Sequence, residues 1–157
     1  MSAVMQSPLA DLLTRHWAGL HRSIRFAVHD CEVHYLTAMA LGASDDLAAQ
    51  LLLRKLRMAR RIGPDGDCRV VRMNSLVEFV DERGETRLAR LTHPWAPRTT
   101  DHEISITDLL GAGLLGLAEG QAILWPDRTG EMHPLKVNSI GRTVAPVSFS
   151  TFGKEVS

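Results

Sequence analysis

"GAGLLG" spans Gly111–Gly116, inside the longer run "HEISITDLLGAGLLGLAEGQAILWP" from His102 to Pro126. Letter for letter it is the G-x-G-x-x-G of dinucleotide-binding folds. In those folds a strand feeds a tight glycine turn and then a long helix whose N-terminus holds the pyrophosphate, with an acidic residue about 20 positions on for the ribose. "HEISI" supplies a strand, but no long helix follows. After Gly116 come "LAE", Gly120, and a second strand "QAILW" stopped by Pro126. A parallel crossover needs about a dozen residues or more, so the context refutes the motif. The spacing instead predicts a short helix over Leu109–Leu115 whose leucines plug an antiparallel sheet. Gly116 would cap it and Gly120 would turn into the next strand.

The same period-2 texture extends on both sides. "RVVRM" and "LVEFV" are rich in strand formers, and "DERGE" places Gly84 where a hairpin needs it before "TRLARL" returns. "HPWAPRTTD" reads as a loop, "PDRTG" as a turn and "EMHPLKVNSI" as a closing strand. Pro134 in that last strand cannot donate to a ladder and belongs at an edge or a bulge. Upstream, "GPDGD" at Gly63–Asp67 is a cluster of breakers and marks a boundary.

Before that boundary the period is helical. Leu9, Leu12, Leu13, Trp17, Leu20 and Ile24 follow the pair Ser7–Pro8, suited to an N-cap and first helical position. This amphipathic extension reaches about Phe26 and carries Arg15, Arg22 and Arg25. It is read as packing on the body or on a copy of itself, ahead of a basic face for a partner or membrane. From Asp30, expected to cap, two helices run to Ile62 with "LGAS" between them, Gly42 ending one and Ser44 capping the other. So short a link makes an antiparallel hairpin. Arg54, Lys55, Arg57, Arg60 and Arg61 crowd its C-terminal end, where they complement the helix dipole; that reading is preferred to nucleic-acid contact. The expected fold class is α+β. Residues 1–26 form a helical extension, 27–62 a short hairpin or coiled coil, 63–141 a small antiparallel sheet domain with one short helix, and 142–157 a tail.

The totals exclude several classes. The chain has 157 residues, 45% hydrophobic, with Lys+Arg and Asp+Glu both 18. Zero net charge gives no global argument for nucleic acid. Two distant cysteines, Cys31 and Cys68, suit a reducing cytoplasm rather than a disulfide framework. No apolar run approaches a membrane span, and the N-terminus lacks a secretory core.

"VVRMNSLVEF", then "ISITDLLGAGLLGLAEGQAILWPDRTG", then "LKVNSI" resembles the C-terminal domain shared by the GreA/GreB transcript-cleavage factors and the regulator of nucleoside diphosphate kinase, Rnk. "MNS" at Met73–Ser75 and Trp125 favour the Rnk branch. The resemblance covers about Cys68–Ile140, extends loosely over the hairpin, and leaves out the first 25 residues. The chain departs from the family at Leu109 (usually Pro), Gln121 (Asp) and Gly113 (Ala). The last change creates the apparent nucleotide fingerprint.

The resemblance implies an FKBP-like sheet domain that docks on RNA polymerase at the rim of its secondary channel, with the hairpin pointing inward. The family's docking loop matches Thr107, Asp108 and Leu109. Asp108 equally suits the N-cap of the short helix. In the Gre factors, acids at the hairpin tip help hold a metal in the polymerase active site; Rnk-like members dock without cleaving. Here the tip carries Ser44, Asp45 and Asp46. A helix over Asp45–Ile62 is only ~27 Å long at 1.5 Å per residue, so capping is the preferred role for these residues. The expectation is a cytoplasmic, non-enzymatic regulator of transcription elongation. It has RNA polymerase as partner, no membrane, no sequence-specific nucleic acid and no cofactor.

Rival chemistries have less to build on. FKBP-like prolyl isomerases line their pocket with aromatics, and between Gly63 and Ile140 there are only Phe79, Trp95 and Trp125. "HDCEVH" brings His29, Cys31 and His34 together, but structural zinc takes four ligands and no second pair has suitable spacing. No G-x-S-x-G elbow is present.

Overall fold

The computed structural model describes residues 8–64, 69–95 and 102–141. Ser7, expected to cap the first helix, Cys68 and the tail from residue 142 lie outside them. In chain order the elements are α1 (Pro8–Leu20), β1 (Ala27–His29), a 3-10 turn (Asp30–Glu32), α2 (Val33–Leu41), α3 (Asp46–Met58) and β2 (Arg60–Ile62). Then come β3 (Leu76–Val80), β4 (Thr86–Thr92), β5 (Glu103–Ser105), α4 (Leu109–Leu114), β6 (Ala122–Pro126) and β7 (Met132–Gly141).

Five strands form one curled sheet in the order β5-β4-β3-β7-β6. Burial alternates along β3, with Val77 and Phe79 inward, as a half-buried strand demands. β3 pairs antiparallel with β4 and β7, and β6 pairs antiparallel with β7. The sheet is nonetheless mixed, because β5 lies parallel to β4; the expectation of an all-antiparallel sheet is corrected there. Ten residues separate Thr92 from Glu103, and at about 3.3 Å each they can carry the chain back along β4. "RVVRM" is not a strand either. Only Val70 pairs, in a single bridge with Ala118.

Pro134 lies in a strand that is central in the sheet order, but at a stretch where that strand is an edge on its β3 side, so it costs no ladder bond. It faces Leu124 of β6, and β3 pairs with β7 only from Lys136 onward.

The helical hairpin is present but differently framed. β1 and β2, both missed in the sequence reading, pair parallel, so α2 and α3 form the crossover between them. α1 stops at Leu20 rather than Phe26, and α3 at Met58 rather than Ile62. Gly42 does end α2. Asp30 caps nothing; it lies in the 3-10 turn and pairs with Arg61 at 3.2 Å. The N-cap of α3 is Asp45, which accepts from the Ala48 amide, and not Ser44.

Helices and sheet share one core. Trp17, Leu36, Leu51 and Leu52 belong to the same buried cluster as Phe79, Leu91, Leu114, Leu117 and Val137. Trp17 is wholly buried, and an aromatic of its size removes about 200 Å² from water, roughly 5 kcal/mol before entropy is charged. It also meets the rim of the sheet. The Trp17 Nε1 donates to the Leu124 carbonyl at 2.8 Å, and the Leu124 amide donates to His21 Nε2 at 3.0 Å. One side chain of α1 and one just past its end thus satisfy the outward amide and carbonyl of Leu124 in edge strand β6. His21 Nδ1, at 2.7 Å from the Trp17 carbonyl, must carry the proton for this to work. Burial, opposed by that bond and assisted by Lys55, holds His21 below its ordinary pKa.

Candidate functional site

The glycines of "GAGLLG" serve close packing. A Cβ on Gly111 would collide with the Ser105 carbonyl, which is backbone and cannot yield. One on Gly113 would meet the Trp125 ring at 2.7 Å and Leu135 at 2.9 Å. Gly116 takes φ +86° just past the helix, as the capping expectation requires. α4 is therefore pressed into the sheet with Ala112 and Leu114 buried, and it plugs the curl.

Its C-terminal carbonyls are satisfied from another element. Lys55 of α3, only 2% exposed, donates to the Ala112 carbonyl at 3.0 Å and to that of Gly113 at 2.6 Å. Its ammonium also lies 5.2 Å from the ring centres of Phe26 and Trp125. Burial pushes its pKa well below the usual lysine range. Lys55 is a structural pin, where the sequence reading set it among the charges that complement the helix dipole. No local signal marks it, since the position lies within a run of arginines.

The other end of α4 opens on the surface. Asp108 occupies the N-cap position but makes no cap bond with its side chain; its carboxylate accepts from the Ser105 amide at 3.3 Å. Ser105 Oγ in turn lies 2.9 Å from Thr107 Oγ1 and accepts from the Thr107 amide. The loop Thr107–Leu109 is thus stapled to the end of β5 and half-buried. Beside it lies a cleft of about 470 Å³. Leu109, Leu110 and Trp125 form its floor, with Trp125 Nε1 donating to the Leu109 carbonyl at 2.8 Å. Its walls are two turns, Asp81–Glu85 and Asp127–Glu131, and charged residues of both turns line it.

The hairpin tip reaches this region too. Arg128, in the second wall, pairs with Asp45. Partial burial disfavours the charged form of Asp45, but Arg128 and the amides of Ala48 and Leu47 outweigh it, so the carboxyl sits below its usual pKa. Asp46 accepts from Gln50 at 3.3 Å. Asp45, one of the two tip acids, thus reaches the turn that walls the cleft.

Other sequence candidates stay apart. Of the three aromatics, Phe79 is buried, Trp95 is 73% exposed, and only Trp125 reaches the cleft. Among the described residues, three or more metal-ligand atoms converge only at Asp127, Glu131 and His133, not at His29, Cys31 and His34. That convergence is accounted for by a 2.7 Å bond between His133 Nε2 and Asp127.

No protein-family model matches the chain, and no curated protein does. Solved structures do. A prokaryotic transcription elongation factor GreA/GreB from Nitrosomonas europaea aligns at 27% identity over 75% of this chain and 98% of its own, with a TM-score of 0.57. The fold is Gre-like. Gfh1 of Thermus thermophilus (19% identity, 85% of this chain and 94% of its own, TM-score 0.39) and Gfh1 of Thermus aquaticus (21%, 85% of each, 0.40) align more loosely.

Against the Gre pattern, the departures have local reasons. Gln121 bonds the Ala118 amide through Oε1 and also reaches the Arg25 carbonyl through Nε2, tying in the segment after α1. Gly113 makes room for Trp125.

Proposed function

We propose that this chain is a non-enzymatic transcription regulator of the Rnk/Gre type that binds RNA polymerase near its secondary channel. It modulates elongation without stimulating transcript cleavage. Similarity to a GreA/GreB elongation factor along 98% of that chain supports the family reading. The stapled loop Thr107–Leu109, beside an apolar-floored cleft with charged walls, supports docking through this end of α4.

The observation that carries the non-cleaving reading is the commitment of Asp45. Its carboxylate caps α3 and pairs with Arg128 of the sheet domain. α3 itself has 13 residues, about 20 Å. An Asp45 carboxylate already engaged by its own helix and by Arg128 is less available to a polymerase metal, which supports docking without cleavage.

Purified polymerase core should retain the protein in a pull-down, and Leu109→Asp/Leu110→Asp should abolish retention. Stalled complexes incubated with the protein should show no shortened transcripts. Cleavage that disappears in Asp45→Ala/Asp46→Ala would convert the reading to a Gre-type cleavage factor.

A further inference from the structure

The arginine run needs a new account. The helix dipole accounts for Arg57, in the last turn of α3, but α3 ends at Met58, which leaves Arg60 and Arg61 in a strand, and Lys55 is turned inward. Arg54 is an interior helix position. Residues 12–29 hold three arginines and residues 47–64 four, with no Asp or Glu in either stretch. The fold lays these stretches together, because α1 packs on α3.

Between them run two adjoining concavities of about 450 and 390 Å³ that share Arg22, Ile24 and Met58. Arg15 and Arg54 stand at one end and Arg25 and Arg60 at the other. Arg15 has an exposed partner in Asp11 at 3.2 Å. Among the described residues, Arg22, Arg25 and Arg54 have no salt-bridge partner. A chain neutral overall therefore concentrates positive charge along one elongated track.

We propose that this track binds the phosphate backbone of nucleic acid, independently of sequence. Every cation lining it is arginine, whose planar fork matches phosphate oxygens two at a time. Its length, over two linked hollows, suits a polymer better than a single anion. The floor is Ala18, Ile24 and Met58 with no exposed aromatic, so nothing there stacks bases.

The test is fluorescence anisotropy of the full chain with labelled 20-nucleotide single-stranded and duplex oligomers of mixed sequence, titrated over salt. Binding should weaken steeply with salt. Arg22→Ala/Arg54→Ala should weaken it at least tenfold at low salt. It should also reduce the slope of log affinity against log salt by about 1.5, two phosphate contacts' worth. Its melting temperature should match the parent's, since neither side chain is ion-paired among the described residues. No oligomer binding at low salt, an unchanged double variant, or equally tight and equally Arg-dependent binding to anionic vesicles would overturn the proposal. None of these readouts involves polymerase, so failure here leaves the docking reading intact.

Discussion

The two walls of the cleft are built to one local formula and fastened differently. Asp81–Glu85 and Asp127–Glu131 both read Asp-x-x-Gly-Glu. In each, the first Asp accepts from the amides two and four residues on. Its carbonyl takes the glycine amide, and its own amide donates to the Glu carbonyl at 2.9 Å. Both glycines have positive φ, +79° at Gly84 and +96° at Gly130. The outside ties diverge. The second turn gains the Thr129 hydroxyl, His133, the Arg128–Asp45 pair and Leu13 of α1 packed against Gly130. Among the described residues, the first has Arg87 at 4.0 Å from Asp81. Local sequence makes the turn; distant contacts decide whether it is a fixed post or a free rim. The cleft thus has one wall tied to other elements and one held mainly by its own turn.

The glycines test this most severely. Gly130→Ala should cost about 2 kcal/mol in chemical denaturation and Gly84→Ala about 1, because both force an alanine into the left-handed region but only the first also meets Leu13, at 3.2 Å. Equal losses would show that the anchoring of the second wall adds nothing. Next, Asp127→Ala should lower the melting temperature more than Asp81→Ala, since it strips the Thr129 hydroxyl and His133 along with the turn amides. The ion pairs come third. Arg128→Ala should cost about 0.5–1 kcal/mol, and Arg87→Lys, which keeps the charge over the Phe79 ring, close to nothing.

The smallest effect is the most diagnostic, and it is read by pH. The Asp127 bond raises the pKa of His133, while the Thr129 hydroxyl and His133 hold Asp127 well below the carboxylate range. A raised histidine stabilises fully below about pH 6.5 and loses that contribution as pH rises through its folded value. A lowered carboxyl stabilises above about pH 4 and loses it as pH falls. The difference in melting temperature between the protein and His133→Gln should therefore be greatest near pH 5–6 and shrink in alkali. In an NMR titration His133 should move above 6.5 and His21 below it; the reverse order would contradict the bond pattern at both.

What the sequence disclosed was decided within a few residues. The Gly84 turn, the short plug with its Gly116 stop, and the strands on either side follow from turn chemistry and period. What it hid was decided across the chain. β1 and β2 have three residues each and exist only because each meets the other. β5 turns parallel because of a loop, not a pattern. Asp45 rather than Ser44 caps α3, one position along, where it can also face Arg128. Lys55 looks like its arginine neighbours until α4 is folded against it. Thr107, Asp108 and Leu109 were placed by resemblance, but the cleft beside them is assembled from two turns 46 positions apart.

The meeting of α1 with β6 has a consequence for solubility. An outermost strand with bare amides and carbonyls invites pairing with any other chain, and Leu124, 39% exposed, would add an apolar lure. Trp17 and His21 occupy those hydrogen-bonding positions. Replacing His21 by Ala, which keeps Trp17 in the core, should remove half of this guard and raise the tendency to aggregate as concentration rises.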